Sequence, residues 1–183
     1  SRPECDLEQG LSTAMITDDD LAELVDIGKL AAYPTDEYWQ QAVSIVVAQQ
    51  MPMTVEVVED VLIQPGQDQV FPQFETYERT YLTSEDDYLD GSEDFLRTSN
   101  EVLSNYVLNV TAEYLLYLDF RQLAWDDGES ERRVVIIRSW FEDEAVLSMN
   151  DAAVGFTYSL EVLIPYTADH DQVWRTQALW SHA

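Results

Sequence analysis

Basic residues are scarce in this chain. It carries 9 of them against 36 acidic residues, a formal net charge of −27, and Lys29 is its only lysine. A surface of this sign has no means of displacing counterions from duplex nucleic acid, so tight direct nucleic-acid binding is excluded. Docking on anionic lipid is disfavoured for the same reason. Cysteine is reduced to Cys5, so no internal disulfide can form. No apolar run approaches the roughly 18 residues of a membrane-spanning helix. Six glycines are present, none grouped with Lys and Ser or Thr, which removes a phosphate-binding loop. No Gly-x-Ser-x-Gly elbow occurs, so the serines lack a nucleophile context. The segment Ser1–Gly10 has no apolar signal-peptide core, and Ser1 fits removal of an initiator Met or a trimmed start. A non-secreted protein is expected.

Disorder is not implied by this charge. Hydrophobic residues make up 46% and aromatics 11% of the 183 residues, so there is enough apolar surface to bury a core. A folded body at −27 repels itself in dilute buffer. At 1 M salt the Debye length falls to about 3 Å and the repulsion is screened. Abundant carboxylates with little lysine resemble the composition of proteins from salt-in halophiles. A DNA-mimic inhibitor and an ordinary acidic mesophilic protein are the alternatives.

Along the chain, Thr17 followed by Asp18, Asp19 and Asp20 reads as a capped helix start, ended by Pro34. Tyr38 to Gln50 reads as a second helix, with Trp39, Ala42, Val43, Val46 and Val47 on its apolar side. From Thr54 the alternation of Val55, Val57, Val61 and Ile63 predicts a strand that turns at Pro65-Gly66. Val70–Leu82 reads as its antiparallel partner, and Pro72 puts that partner at an edge or a bulge. Ser84–Asp94 is an acidic loop. The clearest pattern is Tyr106–Phe120, a long half-buried strand with apolar residues at every even position; a helix from Ser92 through Val107 competes for its first residues. Arg133–Phe141 reads as a strand whose Val134–Ile137 stretch is apolar on both faces and therefore central. Phe156–Ile164 alternates, with Phe156, Tyr158, Leu160, Val162 and Ile164 inward and Ser159 and Glu161 outward. The expected fold is one α+β domain with two N-terminal helices, a mainly antiparallel sheet of four to six strands and an extended C-terminal tail. Residues 1–16 form a flexible N-terminus, 17–165 the domain, and 166–183 the tail.

Candidate chemistry is thin. Asp169-His170-Asp171 cannot converge on a metal, because neighbours on an extended chain point to opposite sides. Asp86, Asp90 and Asp94 fall at three positions of a calcium loop, yet Tyr88 and Arg97 occupy two ligand positions, so no specific metal site and no cofactor are expected. Asn109-Val110-Thr111 matches a glycosylation sequon inside an expected strand. With 36 acids, carboxylate pairs at hydrolase-like separations arise by accident; Glu113 and Glu161 are assigned to outer-face ion pairs with Arg138 or Arg121. Val173, Trp174, Leu179 and Trp180 stand in an otherwise polar tail and are the candidate interface residues.

The helix from Asp18, the strand pair Thr54–Leu82, the Tyr106–Phe120 strand and the Phe156–Ile164 strand together resemble the tail-terminator and neck proteins of tailed viruses. The resemblance is one of architecture over most of the chain and rests on no motif; the extra length and the second helix depart from it. It implies a non-enzymatic subunit that forms a homo-oligomeric ring and meets other virion proteins, assembled in a host cytoplasm and residing in the virion. A halophile's cytoplasm is the alternative location. No functional residue is carried over. A carboxylate-based hydrolase is the remaining enzymatic alternative.

Overall fold

The structure, a computed structural model, describes residues 43–105, 110–126, 131–141, 145–148, 153–154, 156–166 and 171–182. The helix expected from Thr17, Cys5, Asn109 and His170 lie outside the described residues. The order is β1 (Val43–Met51), α1 (Val55–Ile63), α2 (Gln67–Val70), β2 (Phe74–Tyr81), α3 (Glu85–Leu89), β3 (Phe95–Asn105), β4 (Thr111–Asp126), β5 (Glu131–Phe141), β6 (Ala145–Leu147), β7 (Ala153–Val154), β8 (Phe156–Pro165) and β9 (Val173–His182). Every pairing is antiparallel. The main path runs β1-β9-β8-β5-β4-β3-β2, with β6 paired to β4 and β7 to β6. Among the described residues no helix is long and apolar enough to cross a membrane.

The expected fold class is therefore corrected. The described chain is mostly sheet, with seven strands in one path and three short helices, not two N-terminal helices leading into four to six strands. Val43–Gln50, expected inside a helix, belongs to the strand Val43–Met51. Its spacing of Val43, Val46 and Val47 fits a helical face, but Val43, Ile45, Val46 and Val47 are all β-branched and gain χ1 freedom and packing in a strand. The reverse holds for Val55–Ile63, expected as a strand. Thr54 Oγ1 accepts a hydrogen bond from the Val57 amide and caps a helix. Val55, Val58, Glu59 and Ile63 then share its buried side, while Val57 points to solvent. Phe95–Asn105, within the helix considered from Ser92 through Val107, is instead β3, paired over its whole length with β4. The expected C-terminal tail supplies β9, a ten-residue strand between β1 and β8.

Both faces of the sheet are buried near its middle. On the inner face, Val55, Val58 and Ile63 of α1 pack with Tyr88, Leu96, Phe120, Val135, Ile137, Leu163 and Val173. The opposite side of the pleat carries a cross-strand row, Tyr117–Trp140–Tyr158–Trp180, each residue directly opposite the next. Tyr117 stacks on Trp140 at 5.6 Å between ring centroids, and Tyr158 meets Trp180 at 5.8 Å. This two-sided burial overturns the inward–outward assignment on β8. Ser159, Glu161 and Leu163 share the helix-covered face, while Tyr158 and Leu160 belong to the other cluster.

Candidate functional site

A helix end without capping partners leaves carbonyls unsatisfied. At the C-terminus of α1 these carbonyls are gathered by side chains from three places. Arg79 of β2 donates Nη1 to the carbonyl oxygens of Leu62 at 2.8 Å, Ile63, and Gln64 at 3.2 Å. Gln67, buried at the start of α2, donates to Val61 at 2.7 Å and Gln64 at 2.8 Å. Tyr81 Oη donates to Ile63 at 2.9 Å. A guanidinium here also meets the negative end of the helix dipole. Arg79 is itself fixed by Asn100 Oδ1 at 2.8 Å and Tyr77 Oη at 2.6 Å. Burial pushes the Tyr77 and Tyr81 phenols up, Tyr81 to about 12, so both stay protonated as hydroxyls at neutral pH.

This anchored corner roofs a cavity of about 170 Å³ between α1–α2 and the inner face. Leu62, Phe71, Phe74, Leu116, Leu118, Phe120 and Ile137 make its walls apolar. Its floor is polar and comes from three adjacent strands. Ser139 of β5 and Ser159 of β8 are register partners whose hydroxyls lie 2.7 Å apart. Glu161 of β8 accepts a two-point ion pair from Arg175 of β9, at 2.7 and 2.9 Å. Gln177 stands directly opposite Glu161. Such a floor offers hydroxyl and amide groups in fixed places. It offers little proton-transfer chemistry: both Glu161 oxygens are engaged, and no His, Cys or Lys is among the lining residues.

In the middle of α1, Glu59 is buried and takes hydrogen bonds from Tyr88 Oη and Arg133 Nη2. Gln122 reaches it at 3.5 Å. Desolvation holds the Glu59 carboxyl above its ordinary range despite these donors. On the outer face, Asp119 receives Arg97 at two points, 2.6 and 2.9 Å, and Arg138 at 2.5 Å. An open groove of about 410 Å³ over β2–β4 is lined by Glu78, Glu101 and Glu113 with only neutral residues between them.

The candidate residues from the sequence fall elsewhere. Asp86 lies in α3, and Asp90 and Asp94 follow it; all three are exposed. Asp90 accepts from the Ser92 amide at 2.8 Å and from the Ser92 hydroxyl, which lowers its pKa and explains the residue as a turn former. Among the described residues no three His, Cys, Asp or Glu side chains gather to hold a metal. Val173 and Trp180 are buried within the sheet, and Trp174 and Leu179 are half-buried beside them. The ion-pair partners also differ from those assigned: Glu161 pairs with Arg175, and Arg138 with Asp119. The sequence pattern does not reveal the cavity floor, because Ser159 and Glu161 occupy the polar positions of an alternating strand whose polar side is also buried.

No protein-family model matches the chain. No curated protein matches it either. Eleven chains of solved structures do. One is the ZhuI aromatase/cyclase from Streptomyces sp. R1128, 13% identical, with a TM-score of 0.42 over 76% of this chain and 67% of that one. Another is norcoclaurine synthase from Thalictrum flavum, 10% identical, with a TM-score of 0.34 over 82% of this chain and 76% of that one. Neither likeness bears on the chemistry of this chain, which rests on its own side chains.

Proposed function

We propose that the protein is a non-enzymatic binding module for a small, uncharged, largely apolar ligand that carries one hydrogen-bonding end. The observation that supports this reading is the cavity of about 170 Å³, whose apolar walls end on the Ser139–Ser159 pair and Gln177. Apolar enclosure with a few placed polar groups is the common form of small-molecule sites. A space of about 170 Å³ suits a single-ring compound. The ion-paired Glu161 contributes no net charge to the floor, so a neutral ligand avoids the cost of burying an unpaired ion.

The test is ligand-observed NMR with phenol, indole and toluene as probes. Phenol and indole bind, and toluene binds more weakly. Leu118→Trp fills the cavity and abolishes all three signals, whereas Ser139→Ala weakens phenol and spares toluene. Absence of binding by every probe, or undiminished binding in Leu118→Trp, sinks this reading.

A second reading keeps the assembly role expected from the sequence, in a virion ring or a halophile's cytoplasm. It is supported by a different observation, the long exposed edge strand β1.

A further inference from the structure

Among the described strands the acidic residues are not spread evenly. β1, β9 and β8, which form one flank, contain a single carboxylate among them, Glu161, and it is paired with Arg175. β1 itself, Val-Ser-Ile-Val-Val-Ala-Gln-Gln-Met, has no charged residue. Among the described residues it is paired on one side only, with β9, and ends the strand path. Val43, Ile45, Val46 and Val47 are 48–68% exposed. The strand pairs with β9 across all nine residues without a register shift, so its outer backbone groups form a regular row.

Natural sheets protect their edges with charges, prolines or bulges. β2, the opposite edge, does so with Glu75, Glu78, Arg79 and a register shift between Phe74 and Thr76. β1 has none of these devices. Of the two described edges, the one without charge lets two strongly acidic copies approach with less repulsion. Depletion of charged residues also marks the centre of protein interfaces.

We propose that β1 is a self-pairing edge: two copies of this chain join β1 to β1 antiparallel about a two-fold axis centred on Val47, making one continuous sheet. The inference rests on the assembly reading and is independent of the cavity. Centring on Val47 is the one symmetric register that pairs all nine residues. Val47 meets its own copy, Ile45 meets Gln49 and Val43 meets Met51 on one face; Val46 meets Ala48 and Ser44 meets Gln50 on the other. A two-fold pairing closes at two copies, so any ring would use a further contact. Because both partners are strongly acidic, the dimer tightens as salt rises and the Debye length shrinks from about 30 Å at 0.01 M to about 3 Å at 1 M.

Sedimentation equilibrium of the full chain over a range of concentrations, at low and at molar salt, tests the proposal. The expected result is a dimer at molar salt that weakens at least tenfold at low salt. Val46→Lys/Val47→Lys gives a monomer with unchanged circular dichroism, since both side chains are exposed in the single chain. For the register, Cys5→Ser/Val47→Cys forms an intermolecular disulfide on mild oxidation, because residues directly opposite on antiparallel strands lie about 4.5–5.5 Å apart, inside disulfide reach. Cys5→Ser/Val43→Cys, far from the axis, does not. A dimer that survives the double lysine substitution and fails to cross-link at Val47 overturns β1 pairing and leaves the assembly reading standing. A monomer at every salt and concentration overturns both.

Discussion

Glu59 and Asp119 are both carboxylates withdrawn from water, one on each side of the same sheet, and they are neutralised differently. Asp119 sits between two guanidiniums, Arg97 and Arg138, which also lie over the Trp140 ring at 5.7 and 5.9 Å. Glu59 has one guanidinium, that of Arg133, and its other partners are the Tyr88 phenol and the Gln122 amide. The outer cluster thus has more positive than negative charge, and removing its single anion leaves two half-buried cations facing one another. The inner cluster shares its charge with a neutral hydroxyl and tolerates a proton. Burial raises the Glu59 carboxyl and, with the neighbouring carboxylate, raises the Tyr88 phenol too. The comparison teaches that burial alone does not rank a carboxylate's importance; the number of cations left behind does.

The largest effect should come from Asp119→Asn. Leaving Arg97 and Arg138 uncompensated costs about 3–5 kcal/mol, read from urea unfolding, and lowers the melting midpoint by roughly 10 °C. Arg138→Met is milder, at about 1–3 kcal/mol, because Arg97 keeps its two-point contact. An equal loss in these two variants would break the argument from counted cations.

Glu59→Gln comes next, at about 1–2 kcal/mol near neutral pH, because Tyr88 and Gln122 can still hydrogen-bond the amide and Arg133 is partly hydrated. Its pH dependence is the sharper measurement. The Glu59 pKa is raised in the folded state above its ordinary 4.5, so the native protein binds this proton more tightly than the unfolded chain. The contribution of Glu59 to stability therefore improves as pH falls through the raised folded value, and is complete below 4.5. Subtracting the Glu59→Gln unfolding curve from that of the native sequence isolates this slope from the general relief of acidic repulsion. A flat difference between neutral pH and 4.5 would contradict the assignment. The smallest effect is Tyr88→Phe, about 1 kcal/mol, with Glu59 left to Arg133 and Gln122.

Some of this architecture was legible in the sequence. Val134–Ile137 is apolar on both faces, and the strand that contains it does lie in the middle, between β4 and β8. Strong alternation marked β4, and Pro165 ends β8 as its ring chemistry requires. The helix–strand exchange at Val43–Ile63 was not legible, because a short run of valines satisfies both periods and only the Thr54 cap and the β9 pairing decide between them. β8 misled for another reason. Alternation identifies the apolar side of a strand, but in a sheet buried on both sides the mixed side carries the cavity floor. Ser139, Ser159, Glu161 and Arg175 become a site only through register between β5, β8 and β9, and no single segment encodes that.

Met51 finds its partner in Val173, about 120 residues later in the chain. A ribosome adding roughly 5–20 residues per second would leave β1 without that partner for on the order of ten seconds. Throughout that interval an uncharged valine-rich segment waits without the strand it pairs with. Chaperone holding during synthesis, and slow refolding governed by this long-range closure, follow from the order in which the strands are made.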